Sequence, residues 1–174
     1  MIQKKICMVG AFGVGKTSLV TRFVQSIFSD KYLTTVGVKI DKKQLIVDGE
    51  DITLMLWDLA GKDAITQVKP EHLRGAAGYI LVVDGTRADT LRTAIELQAR
   101  CSEATSDAPF TVVMNKSDLR PQWELTDADF GSLKPWKLVF SSAKTGEGVE
   151  QLFIDLANRM LRKGDGESAA TRAR

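Results

Sequence analysis

The sequence predicts an α/β domain, a six-stranded and mostly parallel sheet with one antiparallel strand and helices on both faces. Three observations predict it. Short apolar runs alternate with stretches of helical period, the pattern of parallel strands joined by crossover helices. A glycine-rich segment stands between the first strand and the first helix. An Asp48-Gly49 pair separates two extended segments, and because both positions tolerate positive φ it favours a tight hairpin.

Element by element, Lys5 to Val9 is an apolar run closed by Gly10. Helical period starts near Lys16 and places Leu19, Val20, Phe23 and Val24 on one face. Val38 to Val47 and Ile52 to Leu56 read as the two arms of the hairpin. Three further strands follow at Tyr79 to Val83, Phe110 to Met114 and Lys137 to Phe140, with helices around Leu91 to Cys101 and Asp127 to Leu133 between them. A last helix near Gly148 to Leu161 carries Val149, Leu152, Phe153, Leu156 and Met160 at helical spacing, a face for the sheet. Small, polar and charged residues then take over, so the domain is expected over residues 1–163, with 164–174 a flexible tail.

The bulk properties bound the function. A chain of 174 residues with 44% hydrophobic and 26% charged residues is one soluble globular domain. Lys and Arg number 24 against 22 Asp and Glu, a net charge of +2, which provides no basic surface for nucleic acid. Cys7 and Cys101 lie far apart without metal-ligand spacing or a disulfide framework, and a reducing cytoplasm fits them. No apolar stretch approaches the roughly 20 residues of a membrane span, and no secretory signal opens the chain.

Gly10-Ala11-Phe12-Gly13-Val14-Gly15-Lys16-Thr17 satisfies GxxxxGK(S/T), the phosphate loop of P-loop NTPases, in its required place between strand and helix. Gly13, Val14, Gly15, Lys16, Thr17 and Ser18 are its candidate nucleotide contacts. Backbone N–H groups turn into one concavity, glycine admits the phosphates closely, and the helix amino terminus adds partial positive charge. Lys16 would reach the β- and γ-phosphates, and the Thr17 hydroxyl would ligate Mg²⁺.

A phosphate loop serves ATPases and kinases equally, so the base must be chosen elsewhere. Asn115-Lys116-Ser117-Asp118 follows the strand ending at Met114, at the carboxyl edge where open α/β sheets bind ligands. A carboxylate there accepts from guanine N1–H and its 2-amino group, which adenine cannot match. Asp118 is therefore the candidate guanine reader, with Asn115 and Lys116 beside it. An acceptor-binding lid, which a P-loop kinase would need, is not visible.

Together with Ser142-Ala143-Lys144, with Thr35 inside Tyr32-Leu33-Thr34-Thr35-Val36-Gly37, and with Asp58-Leu59-Ala60-Gly61 after Trp57, these elements resemble the Ras superfamily of small GTPases over roughly residues 3–162. Arg22-Phe23, Phe28, Tyr32, Thr35-Val36-Gly37 and Trp57 are most similar to the Rab branch. The resemblance implies a G domain that binds GTP or GDP with Mg²⁺ and hydrolyses GTP. It places Phe28 and the backbone at Ser142, Ala143 and Lys144 against the guanine. Thr35 would join the metal in the GTP state, Asp58 would hold it through water, and Gly61 would offer its N–H to the γ-phosphate. Loops at about 29–38 and 59–74 would change shape on hydrolysis and meet effectors, exchange factors and GTPase-activating proteins.

The chain departs from that pattern at two site positions. Lys62 stands where the family usually has the glutamine that orients attacking water, and a charged lysine cannot accept a hydrogen bond. Phe12 stands where the loop usually has a small residue, near the point where a partner's arginine would insert. Both point to slow hydrolysis; against that, Lys62 could itself stabilise charge on the γ-phosphoryl oxygens. Two functions stay open, a hydrolysing switch and a nucleotide-binding interaction module with negligible hydrolysis. The segment Ser168 to Arg174 holds no cysteine for a prenyl group, so a cytoplasmic protein without a direct lipid anchor is expected, and a prokaryotic Rab-like member would fit it; a monomer is expected as well.

Overall fold

In the computed structural model, which describes residues 1–26, 37–59 and 68–172, the strands form one sheet ordered β2-β3-β1-β4-β5-β6. These are β1 (Ile2–Gly10), β2 (Val38–Val47), β3 (Glu50–Leu59), β4 (Gly78–Asp84), β5 (Phe110–Asn115) and β6 (Leu138–Phe140). Only β2 runs antiparallel, paired to β3 across Asp48 and Gly49, which adopt φ of 49° and 81° as the tight turn demands. The expected six-stranded mixed sheet is therefore present. Strands β3, β1, β4, β5 and β6 are mutually parallel, so all five end at one edge.

Alternation along β1 supplies two cores. Ile6 and Met8 face α1 (Lys16–Gln25) and the long C-terminal helix, and join Leu19, Val20, Phe23, Leu152, Phe153 and Leu156. Phe23 stacks on Phe153 with ring centroids 4.2 Å apart. Cys7 and Val9 point the other way, toward α2 (Pro70–Leu73) and α3 (Asp89–Ala104), where Leu73, Leu91, Leu97 and Cys101 wait. Each fully buried Leu or Phe side chain contributes about 1.5–3 kcal/mol. Strand β4 is buried along its whole length, as a central parallel strand covered on both faces must be.

Three local features lie beyond what periodicity predicts. Pro70 starts the single-turn α2, which is too short for a 3.6-residue pattern to show. A 3₁₀ segment, Ser117–Gln122, follows β5, ahead of α4 (Asp127–Ser132) with its Thr126–Asp129 capping box. The last helix, α5 (Val149–Arg172), runs past residue 163, after which the flexible tail is expected. The face formed by Val149, Leu152, Phe153, Leu156 and Met160 holds it on the sheet. Lys163 also ties it down, donating to the carbonyls of Ser106 and Asp107 at 3.3 and 2.9 Å. Among the described residues, no helix is long and apolar enough to cross a membrane.

Both thiols sit in the core between β1 and α3, and burial pushes each up to about 12. At pH 8 neither is a thiolate, so an aromatic disulfide reagent will leave native protein unlabelled and react with two thiols in denaturant. Fast labelling of native protein at either cysteine would contradict this packing.

Candidate nucleotide site

The parallel strands deliver Gly10, Leu59, Asp84, Asn115 and Phe140 to the same edge, and the loops after β1, β4, β5 and β6 line one cleft there. On its first side lies the phosphate loop. Gly13 and Gly15 adopt φ of 75° and 103°, and a Cβ on Gly15 would also run into the Asn115 side-chain amide. A Cβ on Gly10 would stand 2.5 Å from the Val82 carbonyl oxygen. No larger residue fits at either place without moving backbone or a buried amide.

Lys16 heads α1 and is only 7% exposed. Its ammonium donates to the carbonyls of Gly10 and Ala11, both at 3.0 Å. Burial lowers its pKa to about 8, while the Asp58 carboxylate pulls it up and Arg87 pushes it down. Phosphate oxygens beside it would favour the charged form again. The neighbouring Thr17 hydroxyl donates to Oδ2 of Asp58, a fully buried carboxylate near the end of β3. Two hard oxygen donors thus converge beside Lys16, the set that suits Mg²⁺ completing its shell with phosphate and water. Among the described residues, no three of His, Cys, Asp and Glu gather into a competing metal centre. Ser18 occupies the first turn of α1, half-buried.

The second side carries the residues expected to meet the base. Asn115, buried at the end of β5, donates through Nδ2 to the Val14 carbonyl at 2.9 Å. Its Oδ1 accepts from the Ser141 hydroxyl at 3.2 Å and from the Ala143 amide at 3.3 Å. One side chain therefore joins three loops. Lys116, at φ 64°, donates to the Gly13 carbonyl at 3.2 Å and to Oδ2 of Asp84 at 2.6 Å. Asp118 is exposed at the rim, and its Oδ1 accepts from the Ser142 hydroxyl at 2.7 Å. Lys144 is exposed beyond it. The structure thus brings together Gly13, Val14, Gly15, Lys16, Thr17, Asp58, Asn115, Lys116, Asp118, Ser142 and Ala143. Phe28, Thr35, Gly61 and Lys62 lie outside the described residues, as do residues 29–36 and 60–67 of the loops at 29–38 and 59–74.

Sequence reasoning missed the residues that brace this cleft. Asp84 receives both Lys116 and Arg87, the latter at 3.2 Å, and Arg87 also donates to the Phe12 carbonyl at 2.7 Å. Burial pushes the Asp84 carboxyl up, but bonds from Lys116 and Thr86 outweigh it and leave the group below its ordinary value. Trp123 donates from Nε1 to the Lys116 carbonyl at 2.9 Å, and Arg22 donates to the Thr145 carbonyl at 2.9 Å. Arg22 stood out only in its likeness to the Rab branch, and Asp84 carried a signal of position: it closes an apolar strand as Asn115 does, so the same edge should hold it.

The model of the Ras family matches residues 5–162. The Ras-related protein SEC4 of Saccharomyces cerevisiae is 33% identical over 164 residues, 92% of this chain and 76% of that protein. The Ras-related protein Rab-30 of Homo sapiens is 33% identical over 161 residues, 90% of this chain and 79% of its own length. Ras-family GTPases bind GTP or GDP with Mg²⁺, and the geometry above has the parts for both. With family model, relatives and fold in agreement, the chain belongs to the Ras family, as a Rab-like small GTPase and a GTP-binding molecular switch.

Proposed function

We propose that this switch hydrolyses GTP slowly, because Lys62 stands in place of the water-orienting glutamine and Phe12 crowds the phosphate loop. The observation that carries the residue assignment is the contact of Lys116 with the Gly13 carbonyl, which makes base loop and phosphate loop two walls of one cleft. Lys16 and the loop amides from Gly13 to Ser18 bind the phosphates, while Asp118 selects guanine with Asn115, Ser142, Ala143 and Lys144 around it. Phe28 covers the ring. Thr17, Thr35 in the GTP state and, through water, Asp58 would hold Mg²⁺, which would supply charge neutralisation to the phosphates. Gly61 donates its N–H to the γ-phosphate, and Lys62, unable to accept from water while charged, leaves the nucleophile poorly oriented.

Partners read the nucleotide state through the loops at about 29–38 and 59–74. The chain acts as a monomer. Single-turnover hydrolysis of bound GTP tests the slow-hydrolysis reading. Lys62→Gln is expected to raise the rate by about tenfold or more, and Phe12→Gly to raise the response to an arginine-supplying activator. A wild type as fast as Lys62→Gln would remove the case for slow hydrolysis. A wild type and variants that all stay inert would favour an interaction module held in one nucleotide state.

A further inference from the structure

We propose that Arg87 is a positioning residue that sets how long nucleotide stays bound, by clamping the phosphate loop from its outer side. The segment that carries it, residues 84–88 after β4, is fixed from within and from without. Within, Thr86 donates to Oδ1 of Asp84 through its amide at 2.9 Å and its hydroxyl at 2.7 Å, and the Arg87 amide donates to the Asp84 carbonyl at 3.0 Å. Thr90, fully buried, accepts from the Asp84 amide at 3.0 Å and donates to the Arg87 carbonyl at 2.7 Å. From without, the Glu124 amide donates to the Gly85 carbonyl and the Glu124 carboxylate accepts from the Ala88 amide, both at 3.0 Å. The Trp123 ring lies so close over Gly85 that a Cβ there would run into it.

From this rigid base Arg87 reaches across to the Phe12 carbonyl at 2.7 Å, while its Nε donates to Oδ2 of Asp84 at 3.2 Å. The same Oδ2 receives Lys116, whose ammonium also holds the Gly13 carbonyl. Two successive carbonyls of the phosphate loop are therefore held by two cations that share one carboxylate. A loop whose amides face an anion must turn its carbonyls away, and cations on those carbonyls fix that orientation before the anion arrives. Lys116 belongs to the base-reading motif, but Arg87 belongs to none of the motifs in the sequence. The Asp84 side chain is 1% exposed, so the pair is anchored in low dielectric although the Arg87 side chain is 41% exposed.

The inference rests on the phosphate loop and Lys116 facing the nucleotide. Two readouts test it in the full chain, wild type beside Arg87→Ala and Arg87→Lys. The first is release of a fluorescent GDP chased by excess GDP with Mg²⁺, and the second is amide exchange of residues 11–16 in nucleotide-free protein. Arg87→Ala is expected to release GDP about tenfold faster, the usual worth of a charge-assisted hydrogen bond, with guanine preference over adenine unchanged. Arg87→Lys is expected to recover much of the difference, and the loop amides of Arg87→Ala to exchange faster. Release within twofold of wild type overturns the clamp. So does faster release with unchanged loop exchange and a lowered unfolding temperature, the mark of a purely structural arginine. A wild type that bound no GDP would sink the site assignment instead, and the loop amides would still decide the clamp.

Discussion

Asp118→Asn is expected to weaken GDP binding by at least about a hundredfold and to turn the preference toward xanthine nucleotides. A carboxylate can accept from both guanine N1–H and the 2-amino group, and two charge-assisted bonds at about 1.5 kcal/mol each amount to that factor. The amide keeps one acceptor but presents an N–H₂ to guanine's 2-amino group, donor against donor. Xanthine carries a carbonyl at that position, so the mismatch becomes a match. The fold should not register the change, because Asp118 is exposed and an Asn oxygen can still accept from the Ser142 hydroxyl. Competition of GDP, XDP and ADP against a fluorescent nucleotide measures it. GDP affinity within tenfold of wild type, with no gain for XDP, would mean that Asp118 does not read the base.

Most of the sheet and the two main walls of the cleft were legible because their signals are local. The phosphate loop is contiguous and its glycines are forced by φ and by close neighbours, Asp48-Gly49 fixes the hairpin, and the strands are continuous apolar runs. Boundaries were less legible. Strand β3 extends from Glu50 to Leu59, well past the expected Ile52 to Leu56, because hydrogen bonding to β1 and β2 continues where the apolar period has stopped. Of the braces, only the position of Asp84 was legible, and none of the contacts. Arg87 and Phe12 are 75 residues apart, and Arg22 and Thr145 are 123 apart, and no spacing rule links a guanidinium to a distant carbonyl. Such contacts follow from topology: β4 lies between β1 and β5, so what leaves its end must lie beside the loops of both.

The same topology makes Asn115 the residue whose loss should cost most. Its side chain joins the phosphate loop at Val14 to Ser141 and Ala143 in the loop after β6, with all four residues buried. Asn115→Ala leaves the Val14 carbonyl, the Ser141 hydroxyl and the Ala143 amide without that partner. A buried group left so costs about 1–3 kcal/mol, and with partial rearrangement the total should be about 3 kcal/mol. For a domain of this size that lowers the unfolding temperature by roughly 6–12 °C. GDP affinity should fall by more than about a hundredfold, since the walls of the cleft lose their common tie. Asn115→Asp separates shape from hydrogen bonding: it keeps the volume but sets a carboxylate oxygen against the Val14 carbonyl, with no donor between them. It should be as damaging as alanine in both GDP titration and thermal unfolding. An Asn115→Asp protein that binds GDP like wild type would show that Asn115 only fills space, and that the cleft is held together elsewhere.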